Sequence, residues 1–300
     1  MRIMALVGGL AAALMLAGSA NAQSRQDKTT TNGDVKLHYV VQGKGPLVVM
    51  IHGFPDYWAS WKPLMGELSK AGWKTAALDM RGYNLSDKPA GVAAYAMPNL
   101  IGDIAAVIKA EGAKDAVVIG HDWGAAIAWQ VAMNRPDLVN RLVIMSVPHP
   151  VGFAREMATN KDQQANSQYA RNFQQPGFEK NLTAEGLAAW VKDPAEKPGY
   201  VEAFKRSDFG AMLNYYRANY PRLSGDPAAA PPPPAPIKVP TLVIHGMKDT
   251  ALNAAGHSGT WNHVTADTTI VMFPDAAHFV QHDAKDQVNR TVKDWLAARR

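Results

Sequence analysis

Asp122 stands in Gly120-His121-Asp122-Trp123-Gly124, between a run of β-branched residues and a helical pattern. A strand, a sharp turn and a helix in this order push the middle side chain out at the edge of a sheet, where it can act as a nucleophile. Small residues at Gly120, Gly124 and Ala125 allow both the turn and close packing of the helix. A carboxylate with an ordinary pKa of about 3.9 is ionised at neutral pH and can attack without first giving up a proton. Such a turn needs an acid and then a histidine downstream, and Asp249 in VIHGMKD and His278 in FPDAAHFV come in that order. His245, His257, His263 and His282 compete, but only His278 follows a strand-like run, TTIVMFP, with a small-residue loop before it. Upstream, His52-Gly53-Phe54-Pro55 closes another strand, and the backbone N–H groups of Phe54 and Trp123 would form a two-donor oxyanion hole. His52 itself reads as a structural ring holding that loop. The plain alternative for Asp122 is a cap on the helix that follows.

These residues need a scaffold, and the sequence supplies one. VKLHYVVQG, PLVVMIHG, KTAALDMRG, DAVVIGHD, RLVIMSVP and PTLVIHGMKD read as buried strands. MPNLIGDIAAVIKAEG and GAAIAWQVAMNRPDLV between them read as helices. Strand and helix in alternation predict an α/β fold with a mainly parallel sheet covered on both faces. From residue 149 to 236 the strand rhythm stops and the chain turns helical and aromatic, ending in PAAAPPPPAP; it resumes at Ile237. This predicts a core in two parts, 23–148 and 237–300, with a helical insertion over the strand ends and a stiff proline-rich connector.

With HGFPDYWASW, DMRGYNLSDKP, GHDWGAAIAWQVAMNRPDLV, VPTLVIHGMKD and DAAHF, the chain resembles the α/β-hydrolase superfamily and, within it, the epoxide hydrolases. The resemblance covers nearly all of residues 23–300. It implies an α/β-hydrolase fold with an inserted helical cap, an ester formed on Asp122, and water activated by His278 and Asp249. It also implies two tyrosines that protonate the leaving oxygen: YARNFQQPG looks like the segment bearing the first, Tyr169, and LNYYRANY like the segment bearing the second, Tyr216. Tyr215 is its neighbour, and positions adjacent on a helix point about 100° apart. The substrate partner so implied is a small-molecule epoxide, and no cofactor is implied. Related dehalogenases use the same nucleophile, and Trp123 could then hold a halide; Phe54 stands where many of them place an asparagine. The relatives acting on haloacetates carry arginines around the elbow that HDWGAAIAW lacks. A third alternative is a binding protein that keeps the fold as a ligand pocket. Asp79 and Arg81 match a family loop that holds the scaffold together.

Composition narrows the rest. With 47% hydrophobic residues the chain can bury a large core. A net charge of +5 without runs of Lys and Arg gives nucleic-acid binding no support. No histidines and carboxylates cluster at metal-ligand spacings such as H-E-x-x-H. The first residues, with Arg2, a short apolar run and small residues at Ala20 and Ala22, read as a cleavable export signal over 1–22. The protein is thus expected to be periplasmic or secreted, with no membrane anchor after cleavage, and the absence of cysteine is compatible with that. Nothing in the sequence specifies an oligomeric state.

Overall fold

A computed structural model of the chain describes residues 24–220 and 234–299. The signal segment, 1–22, and residues 227–233 of the proline-rich connector lie outside the described residues. The strands are β1 (Gln26–Asn32), β2 (Val35–Gln42), β3 (Leu47–Ile51), β4 (Lys74–Leu78), β5 (Ala116–His121), β6 (Val139–Met145), β7 (Thr241–Gly246) and β8 (Thr268–Phe273). They form one sheet in the order β1-β2-β4-β3-β5-β6-β7-β8, parallel from β4 to β8, with β2 antiparallel to both β1 and β4. β1 has no counterpart among the apolar runs. Its sequence, QDKTTTN, is polar because it is an edge strand with mostly exposed side chains, joined to β2 through Gly33.

The helices α1 (Lys62–Lys70), α2 (Met97–Ala110) and α3 (Trp123–Asn134) lie between strands of the first half. Between β6 and β7 come α4 (Pro150–Thr159), α5 (Lys161–Asn166), α6 (Gln168–Phe173), α7 (Ala184–Leu187), α8 (Lys197–Lys205) and α9 (Phe209–Asn219). The chain closes with α10 (Val280–Asp283) and α11 (Lys285–Ala297). Val49 and Ile51 of β3 join the core on the α2 and α3 side, while Val48 and Met50 join the core on the α1 and α11 side. A strand buried on both faces must be apolar throughout, which is why LVVMI shows no alternation. α3 is apolar nearly all round because it packs on β5, β6 and α2 at once. It ends at Asn134 because Pro136 disfavours helical backbone at the residue before it. No helix of the described residues is long and apolar enough to cross a membrane.

Candidate active site

β5 ends at His121 and α3 begins at Trp123, so the turn is Asp122 alone. Its backbone sits at φ 51°, ψ −124°, a region a residue with a side chain occupies only where its surroundings hold it. Gly124 permits the close approach: a Cβ there would overlap the carbonyl oxygens of Ile51 and His52. Gly53 does the same from the facing loop, since its Cβ would overlap the Asp122 side chain. The Asp122 carboxylate makes no capping bond to α3. It turns away, Oδ1 accepting the Phe54 N–H at 2.7 Å and Oδ2 lying 3.3 Å from His278 Nε2. Trp123 is the first residue of α3, where a backbone N–H has no acceptor within the helix. The His52 ring bridges the loop as read from sequence, with Nδ1 2.8 Å from the Gly53 carbonyl and Nε2 accepting the Met80 N–H at 3.1 Å.

Asp249 lies just past β7. Its Oδ1 accepts the N–H groups of Ala251 and Leu252, and its Oδ2 is 2.8 Å from His278 Nδ1. His278 is therefore bracketed by two carboxylates. Burial works against a charge on its ring, but the charge of Asp249 and the bonds to Asp122 and Asp249 outweigh it and push the pKa up to about 10. Burial likewise opposes the charges of Asp122 and Asp249, yet the pairing with His278 holds both carboxyls below their ordinary value.

The two tyrosines reach the same place from the helical insertion. Tyr169 on α6 is half-buried and Tyr216 on α9 is buried, with ring centroids 6.1 Å apart. Tyr216 meets Trp123 edge-on at 5.0 Å and Phe54 at 5.6 Å. Burial, and then the charge of Asp122, raise both phenols well above their ordinary pKa, so they remain hydrogen-bond donors. Asp122, Trp123, Tyr169 and Tyr216 share a cavity of about 180 Å³ with largely apolar residues such as Trp129, Val147 and Phe153. Tyr215 is turned elsewhere, its hydroxyl donating to the Arg81 carbonyl at 2.9 Å.

Several neighbours were not singled out by sequence. The His278 carbonyl accepts from Ser146 Oγ at 2.7 Å and from His121 Nε2 at 2.8 Å. A carbonyl only accepts, so His121 carries its hydrogen on Nε2, and burial followed by the proximity of His278 lowers its pKa to about 3. Asp56 is fully buried, and burial raises its carboxyl to about 8. Trp190 from the insertion donates its indole N–H to the Pro55 carbonyl at 3.1 Å and stacks flat on Phe279 at 3.7 Å. HGFPDYW and GHDWG contain Asp56 and His121, but burial and partnership across the sheet leave no mark in such short motifs. Asp79 and Arg81 hold the scaffold: Asp79 accepts from Trp58 N–H and Asn84 Nδ2, and Arg81 Nε donates to Asp103 at 2.7 Å.

The chain is 31% identical over 306 residues to epoxide hydrolase 3 of Xenopus tropicalis, covering 95% of this chain and 81% of that protein. It is 34% identical over 281 residues to the AB hydrolase superfamily protein YfhM of Bacillus subtilis, covering 89% and 96%. A variant of an epoxide hydrolase from Bacillus megaterium, solved with its naphthyloxy-propane-1,2-diol product, superposes with a TM-score of 0.83 at 30% identity, over 90% of this chain and all of that one. Residues 46–285 match the model of the alpha/beta hydrolase fold family, and with these relatives the chain belongs to that family, in its epoxide hydrolase branch.

Proposed function

We propose that the protein opens epoxides to vicinal diols through a covalent ester on Asp122. One observation carries the reading: a buried carboxylate set between a backbone donor, Phe54 N–H, and His278 shares one largely apolar cavity with two phenols, Tyr169 and Tyr216. Asp122 attacks a ring carbon, the carbon–oxygen bond of the epoxide breaks, and the departing oxygen takes a proton from Tyr169 or Tyr216. An alkoxide is more basic than a phenolate, so the transfer runs downhill even from a buried phenol. Ester formation removes the Asp122 charge that helped to hold the proton on His278. His278 gives its proton to the tyrosinate and becomes a base. It then takes a proton from water as the water oxygen bonds to Asp122 Cγ. The Phe54 N–H, with that of Trp123, meets the oxyanion that forms. Collapse breaks the Cγ–O bond to the substrate, the released alkoxide takes the proton from His278, the Asp122 carboxyl passes the water's remaining proton to His278, and the diol leaves.

The helices α4 to α9 serve in this reading as a cap that brings the two tyrosines over Asp122. The N-terminal pattern of Arg2, an apolar run and small residues at Ala20 and Ala22 supports export with removal of 1–22. The test is a paired assay of residues 23–300 on small aryl and alkyl epoxides and on bromoalkanes, with Asp122→Ala as the blank. Diol formation that disappears in Asp122→Ala is the expected result. Bromide release without diol would make Trp123 the leaving-group ligand, and stoichiometric binding without product would remove catalysis altogether.

A further inference from the structure

His278 faces a second cavity. About 430 Å³ in volume, this space is lined by Ser60, Trp190, Thr250, Ala277, His278 and His282, with Lys192, Asp193, Glu196, Asp283 and Lys285 among its charged residues. Asp122 does not line it, and His278 does not line the cavity that holds Asp122 and the tyrosines. The contact between Asp122 and His278 thus stands between two spaces that differ in size and in the charged residues around them. One is small and mostly apolar. The other is larger, and exposed residues such as Lys192, Asp193 and Thr250 open its rim to solvent. Polar groups continue inward from it, where Ser60 Oγ lies 2.8 Å from His282 Nε2 and 3.2 Å from Gln281 Nε2.

We infer that the water that hydrolyses the ester reaches His278 through this second cavity, while the substrate occupies the first. The inference rests on the ester reading above. Once the substrate is bonded to Asp122 it fills the apolar cavity and bars that side to water. A solvent-open space of this volume, with several charged and hydrogen-bonding residues in its walls, holds a chain of waters, and it ends on the ring that must take the water's proton. Separate routes let the apolar cavity close on the substrate without starving the second step.

Two variants that narrow the second cavity test this, Thr250→Trp at its exposed rim and Ala277→Leu beside His278. Rapid-quench single turnovers with styrene oxide resolve ester formation from ester hydrolysis, and intact mass reads the adduct. Ester formation within about twofold of wild type, with hydrolysis slowed by about tenfold or more and adduct accumulating, is the expected result. The normal rate of ester formation is also the control for folding. Hydrolysis at the wild-type rate in both variants overturns the inference. A second measurement needs no variant: across epoxides of increasing bulk, the wild-type hydrolysis step stays within about threefold, whereas water arriving past the substrate would slow it steadily with bulk. Absence of any adduct in wild type and in His278→Gln would remove the ester reading itself, a result distinct from an adduct that forms and hydrolyses normally.

Discussion

The Tyr215 hydroxyl donates to the Arg81 carbonyl at 2.9 Å, and this bond decides between two adjacent tyrosines. With Tyr215 committed to the scaffold, Tyr216 is the one that lines the cavity with Asp122. Tyr215→Phe should keep diol formation and cost about 1 kcal/mol of stability, the usual worth of one hydrogen bond. Tyr216→Phe should keep stability and lower epoxide turnover by about a hundredfold, within the range of general acid catalysis. Turnover and urea denaturation, measured on the same two preparations, separate the roles.

Replacing Asp122 by asparagine imitates the ester, because the side chain keeps its shape and loses its charge. Both the hydrogen bond and the charge of Asp122 raise the His278 pKa, which stands at about 10 in the free protein. In Asp122→Asn the imidazole should therefore titrate lower, as the base of the second step requires. An NMR titration of the His278 ring in the two proteins reads this directly; an unchanged pKa would break the proposed sequence of proton transfers.

Stability should depend on pH through the same cluster. His278 is raised from 6.5 to about 10, so its contribution is complete below pH 6.5 and is lost as the pH rises toward 10. Asp122 and Asp249 are lowered from 3.8, so theirs is present above that value and is lost as the pH falls through their folded pKa values. Melting temperatures of wild type and His278→Gln from pH 6.5 to 10 should converge as the pH rises. A constant gap across that window would show that His278 keeps an ordinary pKa.

Arg81 and Asp103 form a buried ion pair, at 3% and 4% side-chain exposure, that ties the segment after β4 to α2. Arg81→Leu leaves the Asp103 carboxylate without its cation and should cost about 3–5 kcal/mol, whereas Arg81→Leu with Asp103→Leu should recover part of the loss. Urea midpoints of the single and double variants check this.

Much of this arrangement was legible from the chain because each element left a local trace. The apolar runs of β3 and β5 stand out since both faces of these strands are buried, and Asp122 is marked by the glycines that make room for it. His278 could be picked from its competitors because it alone follows a strand-like run, the one that became β8. β1 was not legible, since an exposed edge strand needs no apolar residue. Neither were Ser146 and His121 as holders of His278, because their bonds join segments more than a hundred residues apart. The choice of Tyr216 over Tyr215 could be narrowed by helical geometry, but it took the Arg81 carbonyl to show where the other hydroxyl goes.

Trp190 touches the neighbours of two working residues at once, Pro55 beside Phe54 and Phe279 beside His278. One indole thus fastens the Phe54 loop to the His278 loop, though both loops follow strands of the sheet and the indole belongs to the insertion. In the proposed reaction, the spacing between the Phe54 donor and the His278 base is accordingly gauged by the width of a side chain from outside the core. A shift of the insertion is felt at both ends of that gauge together, so the segment that presents the tyrosines also keeps the tolerance of the machinery beneath it.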